Sequence, residues 1–263
     1  MKNKSFFLLS LVLLVGFFVV ILSCGGSDPA TDTTDDDDDA PTTEDTSGEP
    51  YDMGDPTFTE LYVSPSGSDS NSGTSIDEPL ESLPAAWALI PTTLTTTGYR
   101  INMLPGDYPC GDDELHDCQN YFSDREGTYD APIMIRSVDA EGEYEAGTAT
   151  VRGGMDVNDV SYLYVLGVDM IAGREEDGLP MNNSGNNIFH VANSDHILLR
   201  DATLTGPTGL TDTTSNVQEV VKANTSEAIY LENNDLSHSH QTVVDYFSTN
   251  GGHVINNHIH ESG

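Results

Sequence analysis

The chain has 263 residues, enough for one large domain, and its 24 glycines and 13 prolines favour β structure over a bundle of helices. It carries 44 acidic and 9 basic residues; without Lys2 and Lys4, which lie in a leader segment, 7 basic residues remain and the acids exceed them by 37. So acidic a chain excludes nucleic acid as a partner.

Residues 1–23 predict an export signal: Lys2 and Lys4 give a basic start, and an apolar run follows from Phe6 to Leu22. The segment ends in "ILSC", which resembles the lipobox of bacterial lipoproteins. That resemblance implies that Cys24 carries the lipid and becomes the first residue of the mature protein. The prediction is a lipoprotein of the bacterial cell envelope, at the outer membrane or cell surface, held to the membrane by its N-terminal lipid alone. An uncleaved membrane anchor is the alternative, since the run is near spanning length.

Residues 24–57 consist mainly of Asp, Thr, Pro and Gly and hold too few apolar side chains to form a core. The acidic run from Asp35 to Asp39 is typical of an extended linker whose like charges repel one another, rather than of a metal site. This segment is predicted to be a disordered acidic tether.

Folded sequence is predicted from residue 58. Leu61 to Ser64 alternates like a strand, Pro65 to Asp77 has turn chemistry, and Leu83 to Ile90 has a short helical pattern. The stretches "YVSPSGSDSNSGT", "EPLESLPAAWALI" and "INMLPGDYP" resemble the N-terminal segment of right-handed parallel β-helix proteins, which include many polysaccharide lyases. The resemblance implies an all-β fold over 58–263, a single-stranded right-handed parallel β-helix with a short N-terminal capping helix.

Cys110 and Cys118 are the two cysteines that remain after Cys24. Exported thiols normally oxidise, so we expect these two to form a disulfide. A metal site with His116 is the alternative, although the spacing fits no zinc pattern.

A repeat supports the β-helix independently. Four units begin at Asp156, His190, Lys222 and Asp245, at steps of 34, 32 and 23 residues. Apolar or small side chains then align in three columns: Leu163, Ile197, Ile229 and Gly252; Val165, Leu199, Leu231 and Val254; Met170, Leu204, Leu236 and Ile259. Such units are too small to be stable alone, so stacked coils are predicted.

Asparagines align in two further columns, Asn233 with Asn256 and Asn234 with Asn257. Asparagine tolerates unusual backbone angles and can hydrogen-bond its neighbour in the next coil. We expect these four residues to be structural rather than to contact a substrate.

The first residues of the four units form an ionisable column of Asp156, His190, Lys222 and Asp245. Lys222 is the only lysine after residue 4. Unpaired charges are not tolerated in a narrow core, so the column must face solvent or a groove. One interpretation is a surface ladder of modest ion pairs.

The resemblance to polysaccharide lyases implies another interpretation, cleavage of an acidic polysaccharide by β-elimination with calcium neutralising the sugar carboxylate. Lys222 is then the candidate base, and Glu219, Asp245 and Asp156 are the candidate Ca²⁺ ligands. "EVVKANTS" is similar to a Glu and Lys segment of alginate lyases and chondroitinase B. Those enzymes carry Arg-His-Gly on the next coil, whereas this chain has "VVDYFS" and lacks that arginine.

Candidate substrate-binding residues are His190, Asn224, His238 and His240. "HSH" and "HIH" each place two imidazoles on one face of a strand, a spacing that can hold a transition metal, although the sequence supplies no third ligand. No phosphate loop, nucleophile elbow or HExxH motif is present.

The sequence ends just after a predicted strand, which favours an incomplete β-helix at the C-terminus. Three functions remain open: a monomeric lyase acting on an acidic polysaccharide, a non-catalytic carbohydrate-binding or structural surface module, and a truncated remnant. Fold resemblance does not choose among them.

Overall fold

The computed structural model describes residues 48–109, 120–172, 187–206 and 219–262. Its strands form three stacks. The first stack contains β4 (Asn120–Glu126), the first part of β7 (Met155–Leu166), β9 (Phe189–Ala192), β12 (Glu219–Asn224) and β15 (Thr242–Phe247). The second stack contains β1 (Phe58–Val63), β2 (Gly98–Met103), β5 (Ile133–Ser137), the second part of β7, β10 (Asp195–Arg200), β13 (Glu227–Glu232) and β16 (Asn250–Ile255). The third stack contains β3 (Gly106–Tyr108), β6 (Ala149–Arg152), β8 (Asp169–Ile171), β11 (Thr203–Thr205), β14 (Asp235–Ser239) and β17 (His258–Ser262).

Every pair of these strands runs parallel. Parallel neighbours cannot be joined by a hairpin. Here the chain instead visits the three stacks in turn, as in β12, β13 and β14, and then begins the next coil at β15. The all-β right-handed parallel β-helix is confirmed.

The three apolar columns predicted from the repeat are confirmed by the strand register. Ile197 pairs with Leu163 and Ile229, and Leu204 pairs with Met170 and Leu236. These six side chains are at most 1% exposed. Each inward side chain is therefore covered by its counterparts in the coils on either side.

The last coil is less covered than those before it. Val254 and Ile259 are 42% and 45% exposed, whereas their partners Leu231 and Leu236 are fully buried. Gly252 has a φ of +87°, and an added Cβ would lie 2.0 Å from the carbonyl oxygen of Ile229. Only glycine fits at this point of the first apolar column.

The predicted short helix is present as α1 (Leu83–Ala88). Ser82 is its N-cap, and its hydroxyl accepts a hydrogen bond from the Ala85 backbone nitrogen at 3.2 Å. Trp87 packs edge-on against Phe122 with ring centroids 5.0 Å apart, and its indole nitrogen donates to the Ser123 carbonyl at 3.1 Å. The helix thus covers apolar core beside β4.

Residues 48–57 contact the β-helix, although they belong to the segment predicted as tether. Tyr51 packs its ring at a tilt against that of Tyr230, with centroids 4.3 Å apart, and edge-on against that of Tyr164, with centroids 5.7 Å apart. Its backbone nitrogen donates to Glu232, and its carbonyl oxygen accepts from Arg200. The sequence placed the start of the folded region at residue 58, and the difference arises because aromatic side chains on the outer face of the second stack bind this segment.

The signal segment 1–23, the lipidation site Cys24, residues 25–47 and the predicted disulfide of Cys110 and Cys118 lie outside the described residues. No helix within the described ranges is long and apolar enough to cross a membrane.

The asparagine columns hold neighbouring coils together as predicted. The Asn234 amide nitrogen donates to Asn257 Oδ1 at 2.9 Å and to the Leu199 carbonyl at 3.0 Å, and its oxygen accepts from the Ala202 backbone nitrogen at 3.0 Å. Asn233 and Asn256 both have a φ of +56° and occupy the corner between the second and third stacks. Asparagine adopts this left-handed conformation more readily than most residues.

Replacing Asn234 by alanine should lower the free energy of unfolding by about 1–3 kcal/mol, because the buried Ala202 amide loses its acceptor. Asn233→Gly is the matched control, since glycine accepts positive φ, and it should change stability by less than about 0.5 kcal/mol. Urea unfolding of both variants measures the difference. Equal losses would contradict a bridging role for Asn234.

Candidate functional site

The charged column consists of Asp156, His190, Lys222 and Asp245. Their strands pair in register, Asp156 with His190, His190 with Lys222, and Lys222 with Asp245, which confirms the predicted alignment. Each side chain is between 22% and 38% exposed, and the adjacent Val157, Val191 and Ala223 are fully buried. The column therefore lies on the outer face of the first stack.

The column divides into two pairs rather than one continuous ladder. His190 Nδ1 lies 3.0 Å from Asp156 Oδ2, and Lys222 Nζ lies 3.1 Å from Asp245 Oδ2. Asn224 Nδ2 lies 2.9 Å from His190 Nε2. This set of contacts suits a neutral ring that donates from Nδ1 to Asp156 and accepts from Asn224 at Nε2.

Lys222 binds two carboxylates, because Glu219 Oε1 also lies 3.3 Å from its ammonium. Partial burial by itself lowers the pKa of Lys222, but the hydrogen bonds to Asp245 and Glu219 outweigh that effect and hold the pKa above its ordinary 10.5. In this arrangement Lys222 is a cation at neutral pH. A general base needs a pKa closer to the working pH.

Glu219 has an unused hydrogen-bonding atom. Its side chain is 7% exposed, and its buried Oε2 has no hydrogen-bond partner among the described residues. Carboxylate oxygens are the ligands that calcium prefers, and it takes six to eight of them, in part from water. Glu219 and Asp245 therefore fit two ligands of such an ion, in a position that competes with the ammonium of Lys222.

Asp156 does not converge with the other two predicted calcium ligands. It lies three strands from Asp245 along the first stack, roughly 14 Å at the usual strand spacing. One ion cannot bridge that separation with Ca–O distances of about 2.5 Å. The carboxylate of Asp156 instead binds His190.

The four predicted substrate-binding residues fall in different places. His190 and Asn224 lie together on the first stack. His238 lies on β14 in the third stack, where its Nε2 is 2.6 Å from Glu261 Oε2, and His240 is exposed just after β14. Of the four predicted residues, His190 and Asn224 are therefore neighbours on one face, whereas His238 and His240 lie at the third stack.

The sequence patterns did not predict two features of the outer faces of the first and third stacks. Tyr121 pairs with Asp156 and extends the column to β4, with 49% exposure. Asp235 pairs with His258, at the 23-residue step that also aligns Lys222 with Asp245. Adding the same 23-residue step to Asp235 would have predicted its pairing with His258 from the sequence.

The fold resembles that of a solved pectate lyase. The chain is similar to the crystal structure of pectate lyase Pel9A, with a TM-score of 0.55 and 19% identity, over 79% of this chain and 48% of that one. It therefore spans about half the length of that protein. A rhamnogalacturonan lyase is matched with a TM-score of 0.34 and 13% identity, over 74% of this chain and 62% of that one. No family model matches the chain, and no curated protein matches it.

Lys222→Ala should lower the free energy of unfolding at neutral pH by about 1–3 kcal/mol, between the values for exposed and fully buried pairs, because nearly buried Glu219 loses its cation. Since the pKa of Lys222 is raised, the wild type keeps this stabilisation below pH 10.5 and loses it as the pH rises through the folded-state value. The two proteins should therefore converge in stability at alkaline pH. Urea unfolding across this range measures the convergence.

Arg152→Ala is the matched control, because Arg152 pairs with Asp107 on the third stack and Asp107 is 63% exposed. Its loss should cost at most about 1 kcal/mol. A cost for Lys222→Ala no greater than that would contradict the partnership with Glu219.

Proposed function

We propose that this protein binds an extended acidic polysaccharide along the outer face of the first stack and cleaves it by β-elimination, with Lys222 as the base. The supporting observation is the convergence of Glu219 and Asp245 on Lys222, beside an unsatisfied buried oxygen of Glu219. The stack repeats outward side chains at about 4.8 Å per coil, a geometry suited to a long ligand. The parallel β-helix shared with a pectate lyase supports the same choice.

The reaction needs one proton acceptor and neutralisation of one carboxylate. The base takes the proton on the carbon next to the uronate carboxylate, and the electron pair of that C–H bond forms a double bond to the neighbouring ring carbon. The glycosidic oxygen on that ring carbon leaves with the electrons of its bond and is protonated. Charge develops on the uronate carboxylate meanwhile and must be stabilised.

Glu219 and Asp245 would hold Ca²⁺, which supplies positive charge for the uronate carboxylate. Their engagement would remove both acceptors from the ammonium of Lys222. Because those hydrogen bonds raise its pKa, losing them lowers it toward the range of a working base. His190, on the neighbouring coil, and Asn224, two residues along the strand from Lys222, would bind hydroxyl or carboxylate groups of a neighbouring sugar.

The same proposal places the protein at the bacterial cell surface as a monomer, tethered through lipidated Cys24. Its support is the lipobox-like "ILSC" and the acidic segment that follows. With an excess of 37 acids after the leader is removed (44 acidic against 7 basic residues), the protein would repel a polyuronate, and a bridging cation would offset that repulsion.

A second candidate is a non-catalytic polysaccharide-binding module on the same face. The observation that favours it is the double ion pair of Lys222, which keeps the side chain protonated. "VVDYFS" also lacks the arginine that alginate lyases and chondroitinase B carry on the next coil. Binding without bond cleavage distinguishes this candidate from the first.

The wild type should form unsaturated uronate ends from an acidic polysaccharide such as polygalacturonate, and Lys222→Ala should reduce the rate by about 10²–10⁴-fold, the usual contribution of a general base. Ultraviolet absorbance of the new double bond follows the reaction. Arg152→Ala removes a distant cation and should keep the wild-type rate. If the wild type binds the polymer and forms no product, the second candidate replaces the first.

Removal of calcium with a chelator should weaken polysaccharide binding, and Glu219→Gln should reduce the calcium response because one of its two carboxylate ligands is lost. Affinity electrophoresis through gels containing the polymer, with and without Ca²⁺, measures both effects. Asp107→Asn is the control, since it removes an equal charge from the third stack. If the polymer slows the migration of the wild type equally with and without Ca²⁺, the proposed role of the cation is wrong.

A further inference from the structure

A second group of ionisable side chains lies on the outer face of the third stack. The Asp–His cluster consists of Asp235 on β14 and His258 and His260 on β17. His258 Nδ1 lies 3.2 Å from Asp235 Oδ2, and His260 Nε2 lies 2.8 Å from Asp235 Oδ1. One carboxylate thus faces two ring nitrogens from the next coil.

The backbone brings these three side chains together. Asp235 and His258 are paired residues of adjacent parallel strands, and His260, two positions along, lies on the same face as His258. The two imidazole rings stack with centroids 4.2 Å apart and an angle of 20° between their planes. One donor atom from each residue falls within 4.8 Å of the other two.

We propose that the Asp–His cluster binds a divalent transition-metal ion of the Zn²⁺ class. Two imidazole nitrogens and one carboxylate oxygen are ligands typical of zinc, and donors around a tetrahedral ion lie about 3.4 Å apart for bonds of 2.0–2.1 Å. The two His–Asp distances, 3.2 and 2.8 Å, are close to that spacing, and one donor atom from each of the three residues lies within 4.8 Å of the others. Calcium prefers six to eight oxygen ligands and does not suit this set.

The surroundings of His260 also fit a metal ligand. Its second nitrogen, Nδ1, lies 3.9 Å from Glu261 Oε2, and that oxygen is 2.6 Å from His238 Nε2. Histidine ligands commonly direct their other ring nitrogen toward a carboxylate, which fixes ring orientation. At 3.9 Å this contact is an ion-pair distance rather than a hydrogen bond, so in this proposal Glu261, held in place by His238, is a positioning residue that acts on His260 through its charge.

Three protein ligands leave at least one coordination position for water or for a group from outside the chain. The cluster is accessible, with His258 71% and Asp235 45% exposed. A bound ion would also cross-link β14 to β17 and so fix the last coil on the one before it. The cluster lies on the third stack and shares no residue with the charged column, so this site does not depend on the proposed function.

The test uses the full chain and zinc alone, titrated against a fluorescent chelator that competes for the ion. His258→Ala and His260→Ala should each abolish the binding of one equivalent of zinc or lower its affinity. The loss of affinity should exceed the ~10–100-fold that results from losing a residue that only contacts a metal ligand. Glu261→Gln should weaken binding by only about 10-fold. Co²⁺ in place of zinc should give a visible spectrum in the wild type that both histidine variants lose.

His196→Ala is the matched control. His196 also pairs with one carboxylate, Asp195 at 2.8 Å, and stacks on a ring, Tyr162 at 4.2 Å, but among the described residues it belongs to no group of three possible metal ligands. This variant should bind zinc as the wild type does. Equal zinc binding by the wild type and the two cluster variants would overturn the proposal, as would an equal loss in His196→Ala. Because His258 is largely exposed, its replacement should leave the fold intact, which circular dichroism verifies.

Discussion

Parallel register between successive coils holds this structure together, because each coil is too thin to cover its own apolar side chains. Leu199 is buried by Val165 on one side and Leu231 on the other, and neither neighbour is close to it in sequence. A slip of one residue would turn an entire inner column outward. The register therefore sets the core and, in the same step, decides which polar residues meet on the outside.

The spacing between coils also limits the chemistry of each outer face. Neighbours in a column are about 4.8 Å apart, close enough for an ion pair, whereas residues two coils apart are not. Asp156 and His190 consequently form one pair, and Lys222 and Asp245 form another. Glu219 joins the second pair from within its own strand. A cation site on these faces can therefore draw only on one coil and its immediate neighbours, and both proposals combine residues of two adjacent coils.

The outer face of the second stack shows how the fold buries charge. Glu232 is fully buried, and its carboxylate binds Arg200 at 2.6 Å, His253 at 2.7 Å and the Tyr51 backbone nitrogen at 2.6 Å. A buried carboxylate is tolerated only when its oxygens are satisfied in this way. The backbone of Tyr51 donates one of these hydrogen bonds. A segment whose composition is typical of a linker is in this way part of the folded domain.

The sequence by itself determined the coil repeat, the apolar columns, the short helix, the asparagine columns and the charged column. All of these follow from residue type and spacing along the chain, since parallel in-register stacking converts a repeat step directly into a spatial neighbour. Only the tertiary structure decided that Glu219 contacts Lys222, that Tyr51 packs on Tyr164 and Tyr230, and that Asp235 faces two histidines. Those contacts depend on side-chain direction at the coil faces and on distant segments folding back. A repeat pattern carries neither kind of information.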